Sequence, residues 1–170
     1  DFGQTWQSIT KGIDDHHFTR VIRSDPKAKG MLYAGTESGM YISFDDGDHW
    51  QPFQMNLPIV PITDLTIKND NLIAATQGRS FWIVDELAQL RQMRDTKTDR
   101  FQFYQPSDTY RMTGASYKSQ EAGTNYQGGL MAFYYLPAEL KKSDTFSITL
   151  LEQDGDTIVK YSTHHKEKPY

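Results

Sequence analysis

From Thr145 to Leu150 the chain alternates, with Phe146, Ile148 and Leu150 apolar and Thr145, Ser147 and Thr149 polar. A period of two predicts a strand with one buried face. Asp154-Gly155 then predicts a hairpin into a strand over Thr157 to Tyr161. Upstream, β-rich runs lie at Phe18 to Arg23, Met31 to Thr36, Gly39 to Phe44 and His49 to Met55. They are separated by Ser24-Asp25-Pro26-Lys27, by Glu37-Ser38 and by a polar turn after Phe44. Four strands with short turns in about 40 residues predict one antiparallel sheet of the kind that forms a propeller blade. Leu87, Leu90 and Met93 break the pattern, because a spacing of three predicts a short helix with one apolar face.

The turn between the third and fourth of these runs is Ser43-Phe44-Asp45-Asp46-Gly47-Asp48-His49-Trp50. It reads S-x-D-x-G-x-x-W, the Asp-box pattern. Gly47 supplies the positive φ of a tight turn. Ser43 and Asp45 are short polar side chains able to hold backbone amides, and Trp50 can bury a large aromatic surface. Asp1-Phe2-Gly3-Gln4-Thr5-Trp6 repeats the pattern without its first two residues, and Asp1 to Asp45 and Trp6 to Trp50 are both 44 positions. Such a period marks propeller blades. Residues 1–10 are accordingly expected to be the last strand of a blade.

The next segment repeats the first. At an offset of 40, Leu72, Ala74, Thr76 and Asp85 fall on Leu32, Ala34, Thr36 and Asp45, and Phe81 falls on Tyr41. Thr63-Asp64-Leu65 falls on Thr19-Arg20-Val21 at an offset of 44, which implies a turn shortened by four. Phe101 to Tyr104 is expected to close this second blade. Residues 106–127 have no period and are rich in Ser, Thr, Gly, Tyr and Gln, so they read as a linker. Leu130 to Leu136 is an apolar strand stopped by Pro137. The expected fold is all-β: a partial propeller of about two four-stranded blades over residues 1–105, the linker, and part of an immunoglobulin-like β-sandwich over residues 128–170.

The chain has 170 residues, a net charge of −4 and no cysteine. The charge argues against a nucleic-acid surface, which needs a basic face. The lack of cysteine rules out disulfides and thiolate metal sites and leaves the compartment open. No apolar run approaches the roughly 20 residues that span a bilayer. The first residue lies inside a motif, and the final unit is short, so the chain is expected to be a piece of a longer protein.

These residues resemble the bacterial sortilin-like Asp-box propeller proteins, often labelled glycosyl hydrolases with BNR repeats. The resemblance is carried by Arg20-Val21-Ile22-Arg23, Asp25-Pro26, Leu32 to Glu37, Ser43 to Trp50, Asn56-Leu57-Pro58, Thr63-Asp64-Leu65 and Thr76 to Trp82. Gly129 to Ser162 resembles the small immunoglobulin-like domain that follows the propeller. The resemblance implies a secreted or periplasmic protein, of which this chain holds the last two blades. It also implies a binding or scaffolding role, with a sialidase- or xyloglucanase-like glycoside hydrolase as the alternative.

No catalytic residue and no cofactor is assigned. Asp45, Asp46 and Asp48 lack the later bidentate glutamate of a calcium loop, so they read as turn-holding. His16-His17 and His164-His165 are adjacent pairs, a poor spacing for one metal. No glycine cluster matches a nucleotide loop, and Ser80 lacks the context of a hydrolase elbow. Glycosidase chemistry needs two facing carboxylates, and Glu37, Asp64, Asp85 and Glu86 lie near strand ends. The ligand candidates, for a carbohydrate or protein ligand, are Arg20, Arg79, Trp82 and Asp64. An arginine already paired with Asp64 or Glu37 would be structural. The structural turn residues are Ser43, Asp45, Gly47 and Trp50, with Asp1, Gly3 and Trp6. The face carrying Trp50, Tyr41 and Ile42 is expected to lie open, to meet a second copy or to be covered by the linker.

Overall fold

The computed structural model describes residues 1–97, 99–109, 129–139, 141 and 143–163. The expected linker falls largely outside the described residues, as does His164-His165. The described chain is mostly β, in small antiparallel sheets. It divides into two compact units, one of Asp1–Lys97 with Gln102–Tyr135 and one of Thr98–Phe101 with Leu136–Tyr170.

The first unit holds a four-stranded sheet, β1 (Thr19–Ser24), β2 (Leu32–Thr36), β3 (Gly39–Ser43) and β4 (Gln51–Pro52), in that order. A three-stranded sheet follows, β5 (Ile62–Lys68), β6 (Asn71–Thr76) and β7 (Phe81–Val84). Helix α1 (Leu87–Met93) stands where the spacing of three placed it, with Leu87 fully buried.

The two sheets repeat each other in register. Thr19 pairs with Thr36 and Val21 with Gly35, across a bulge; Ile62 pairs with Thr76 and Asp64 with Ala75, across the same bulge. The offset along these strands is therefore 43, and the turn between them is three residues shorter rather than four. The second sheet makes that turn with Asn69 and Asp70, both at positive φ, the backbone of a two-residue hairpin. The next turn is one residue longer than its counterpart, since Ala34 pairs with Tyr41 but Ala74 with Trp82. Trp82, not Phe81, takes the place of Tyr41.

Alternation then decides the packing. In the first sheet Tyr33, Met40 and Ile42 face one way and Ala34 and Tyr41 the other. The second sheet lays Leu65, Leu72, Ala74 and Trp82 onto the Tyr33, Met40 and Ile42 face, forming the main core. Gly35 is the point of closest approach: a Cβ there would lie 2.6 Å from the Ile62 side chain. The opposite face of the second sheet stays open. Phe81 is 72% exposed and Ile83 56%, while their counterparts Met40 and Ile42 are 4% and 1% exposed.

Several sequence expectations change. Residues 1–10 form no strand, and Phe2 and Trp6 are exposed. The face of Trp50 and Tyr41 is not open: residues 9–17 lie over it as a strap. Trp50 Nε1 donates to the Ile9 carbonyl at 2.6 Å and Trp50 N to the Lys11 carbonyl at 2.8 Å. His17 Nδ1 meets the Tyr41 hydroxyl at 2.8 Å, and Ile13 packs beside them. Ile42 belongs to the main core instead. The second sheet has three strands. Its expected closing strand, β8 (Gln102–Phe103), pairs with β9 (Tyr134–Tyr135), which is all that forms of the strand expected over Leu130 to Leu136.

The second unit holds the expected hairpin of β10 (Ser147–Leu151) and β11 (Thr157–Ser162), turning at Gly155 with φ 98°. Along β10, Ile148 and Leu150 are the half-buried positions, and the Phe101 and Phe146 rings pack with centroids 5.9 Å apart. A two-stranded sheet of this size shows no sandwich.

Candidate binding site

The Ser43–Trp50 turn is a hairpin made by two residues at positive φ, Asp46 at 62° and Gly47 at 92°. A non-glycine residue with positive φ is uncommon and needs support. Ser43, fully buried, supplies it, accepting from Gly47 N at 2.9 Å and donating to Asp45 Oδ1 at 2.9 Å. Asp45 accepts His49 N at 2.8 Å and His49 Nδ1 at 2.7 Å. The hydrogen bond from the His49 side chain, with the one from its amide, pulls the Asp45 carboxyl down to about 2. Lys11 Nζ lies 2.7 Å from His49 Nε2, which ties the strap to the same turn. Both Asp45 oxygens are thus occupied by donors of the turn itself, and among the described residues no group of His, Cys, Asp and Glu is arranged to hold a metal.

The chain's opening residues fold the same way. Phe2 and Gly3 have φ 53° and 84°, Asp1 Oδ1 accepts Gly3 N at 3.0 Å, and Asp1 Oδ2 accepts Thr5 N at 3.1 Å. Trp6, however, is 90% exposed where Trp50 is 5% exposed. The turn therefore forms from its own hydrogen bonds, without the buried tryptophan. Ser43→Ala is expected to cost about 1–3 kcal/mol, because it strands a buried amide. Urea unfolding of the variant measures it.

The arginines at the rim separate into paired and free. Arg20 Nε donates to Glu37 Oε1 at 2.6 Å, so Arg20 is engaged within the first sheet and offers no free guanidinium. Asp64 accepts Arg23 at 2.6 Å, a bridge between the two sheets. Arg79 is exposed and has no carboxylate partner among the described residues.

The chain matches no family model, no curated protein and no solved structure.

Trp82 is half-buried, and its Nε1 donates to the Arg79 carbonyl at 2.9 Å. Its indole lines a groove of about 300 Å³ between the two sheets, together with Met40, Phe53, Leu57, Leu72 and Val84. Asp85 stands at the same groove, exposed and without a partner for its carboxylate among the described residues. Of the four candidate carboxylates, Glu37 and Asp64 are thus held by arginines. Glu86 sits at the start of α1 at φ 56°.

A further charged cluster had no sequence signal beyond its residue types. Arg91 of α1 donates through Nε to both Asp25 oxygens, at 3.0 and 3.1 Å, and through Nη1 to Asp70 at 3.0 Å. Lys27 also reaches Asp70. Asp25, buried, further accepts Lys27 N, Ala28 N and the Tyr33 hydroxyl. Burial pushes the Asp25 pKa up, but the Arg91 guanidinium and the two amides outweigh it and the net shift is down. Burial, then the charge of Asp25, drives the Tyr33 hydroxyl far above its ordinary range. This cluster fastens α1 to both β-turns and is structural.

Proposed function

We propose that the two stacked sheets are successive blades of an Asp-box propeller similar to the bacterial sortilin-like proteins, and that the chain acts as a binding or scaffolding module. The observation that carries this reading is the reuse of one face. Ala74 and Trp82 lie on the preceding sheet through the same register positions that Ala34 and Tyr41 present to the strap. Sheets that stack by repeating one face add up radially, as propeller blades do. The duplicated turn at Asp1 and Asp45 supports the same reading.

On this reading the open Phe81 and Ile83 face receives another blade of the same protein or a second copy. The unpaired Arg79 is the rim group available to a carbohydrate or protein ligand. A secreted or periplasmic location follows from the resemblance. Among the described residues no helix is long and apolar enough to cross a membrane.

A glycoside hydrolase is the second reading, with further catalytic residues on other blades. Asp85, which lines the same groove as Trp82 and has no partner among the described residues, favours it. A panel of aryl glycosides, including a sialoside, and a xyloglucan fragment separates the two. The module reading expects no turnover. Hydrolysis that disappears in Asp85→Asn or Asp64→Asn would put the enzyme first.

A further inference from the structure

We infer that the groove between the two sheets binds a compact amphipathic cation, an apolar body carrying an ammonium or amidinium end. This goes beyond the propeller reading and does not depend on it. The groove holds about 300 Å³, at the lower end of the range for small-molecule sites. Its body is apolar: Met40, Phe53, Leu57, Leu72, Trp82 and Val84.

What selects the ligand is which polar groups remain unspent. The Gln54 amide lies in the wall, but Oε1 accepts Met40 N at 3.3 Å, and Nε2 donates to the Leu57 and Pro58 carbonyls at 2.8 and 2.9 Å. The Trp82 N–H is given to Arg79. Asn56 and Asp85 are left, both exposed and without side-chain partners among the described residues. A sugar needs several donors and acceptors, and an anion needs donors; among the described residues this lining offers one free amide and one free carboxylate. Among the described residues that line the groove none is cationic, and Arg79 is not one of them. An apolar cleft with one tryptophan and one unpaired carboxylate is complementary to a cation, which is attracted both to the charge and to the aromatic ring.

The rim carries a second mark. Met55, in the turn from Gln54 to Leu57, has φ 45° and is 69% exposed. A non-glycine residue held there is strained, and such strain clusters at ligand clamps. The Gln54 hydrogen bonds keep the turn in place, and the unbranched thioether adapts to the shape of an occupant.

The test is a titration followed by the indole N–H signal of Trp82 in two-dimensional NMR. The probes are benzyltrimethylammonium, its neutral isostere neopentylbenzene, and phenylacetate. The expected order is ammonium, then neutral, then anion. Asp85→Asn should weaken the ammonium about five-fold, as an exposed ion pair allows, and leave the neutral probe unchanged. Trp82→Phe, which keeps an aromatic ring in the core and is followed through the backbone amide signals of Met55 and Leu57 at the same groove, should weaken it further. Equal binding of the ammonium and neutral probes, tighter binding of phenylacetate, or no shift at Trp82 would each overturn the inference. A folded Asp85→Asn with undiminished ammonium binding would do the same.

Discussion

Replacing Trp50 by alanine is expected to lower the stability of the first unit by about 3–5 kcal/mol, the cost of truncating a buried aromatic. Trp50 fills the space between the first sheet and the strap, packed with Ala34, Tyr41, Ile13 and Leu32. Its indole N–H also holds the Ile9 carbonyl. The substitution removes both the packing and that tether, while the backbone bond from Trp50 N to Lys11 remains possible. Urea denaturation should show the loss in stability. Hydrogen exchange should show faster exchange at Ile13 N and His17 N, the strap amides bonded to the Thr10 and Asp14 carbonyls. Trp6→Ala, at the matching position of the other turn, is expected to change stability by less than about 0.5 kcal/mol, since its side chain is exposed. Equal effects of the two substitutions would show that the strap does not bury Trp50.

Arg91→Ala is expected to cost about 3–5 kcal/mol at neutral pH, because it leaves the buried Asp25 carboxylate uncompensated. The pH dependence gives the sign. In the native protein Asp25 and Asp70 titrate below their ordinary value of 3.8. For Asp70 the Lys27 hydrogen bond is the largest cause, with Arg91 adding to it against burial. Carboxyls depressed on folding contribute stability that is fully present above about 3.8 and is lost as the pH falls through their folded values. Without Arg91 the Lys27 and Ala28 amides are left to oppose burial, so Asp25 titrates higher than in the native protein. The variant should therefore recover as Asp25 protonates, and the gap to the native protein should narrow between pH 7 and pH 3. Urea unfolding across that range checks it; a gap that stays constant would mean that Arg91 contributes packing and not charge compensation.

The parts of the fold legible in the sequence are those set by near neighbours. The strand runs, the Asp45-Gly47 and Asp154-Gly155 turns and the helix over Leu87 to Met93 each depend on residues a few positions apart. Distant pairing was not legible. The strap depends on Ile9 and Lys11 meeting Trp50, and Arg91 meets Asp25 across 66 positions. Nothing in the local pattern marks Tyr134 as the partner of Phe103. Trp82 was displaced by one register position, because the Gln77–Arg79 turn is a residue longer than Glu37-Ser38, and a shift of one exchanges the faces of a strand. That shift decides the candidate site, since it turns Trp82 into the groove and leaves Phe81 outside. Among the rim residues, Arg20 and Asp64 were recognisable as charged groups near strand ends, but their partners were fixed only by the way the sheets stack.

The second sheet repeats the first, and their stacking covers only one of two equivalent faces. Ile42 pairs with Tyr33 as Ile83 pairs with Ile73, so the two isoleucines hold matching positions. Urea unfolding of Ile42→Ala and Ile83→Ala in this chain measures the difference between the covered and the open face. The predicted result is a loss of about 3 kcal/mol for Ile42→Ala, which opens a cavity in the core, and less than about 0.5 kcal/mol for Ile83→Ala. Comparable losses at both positions would contradict it.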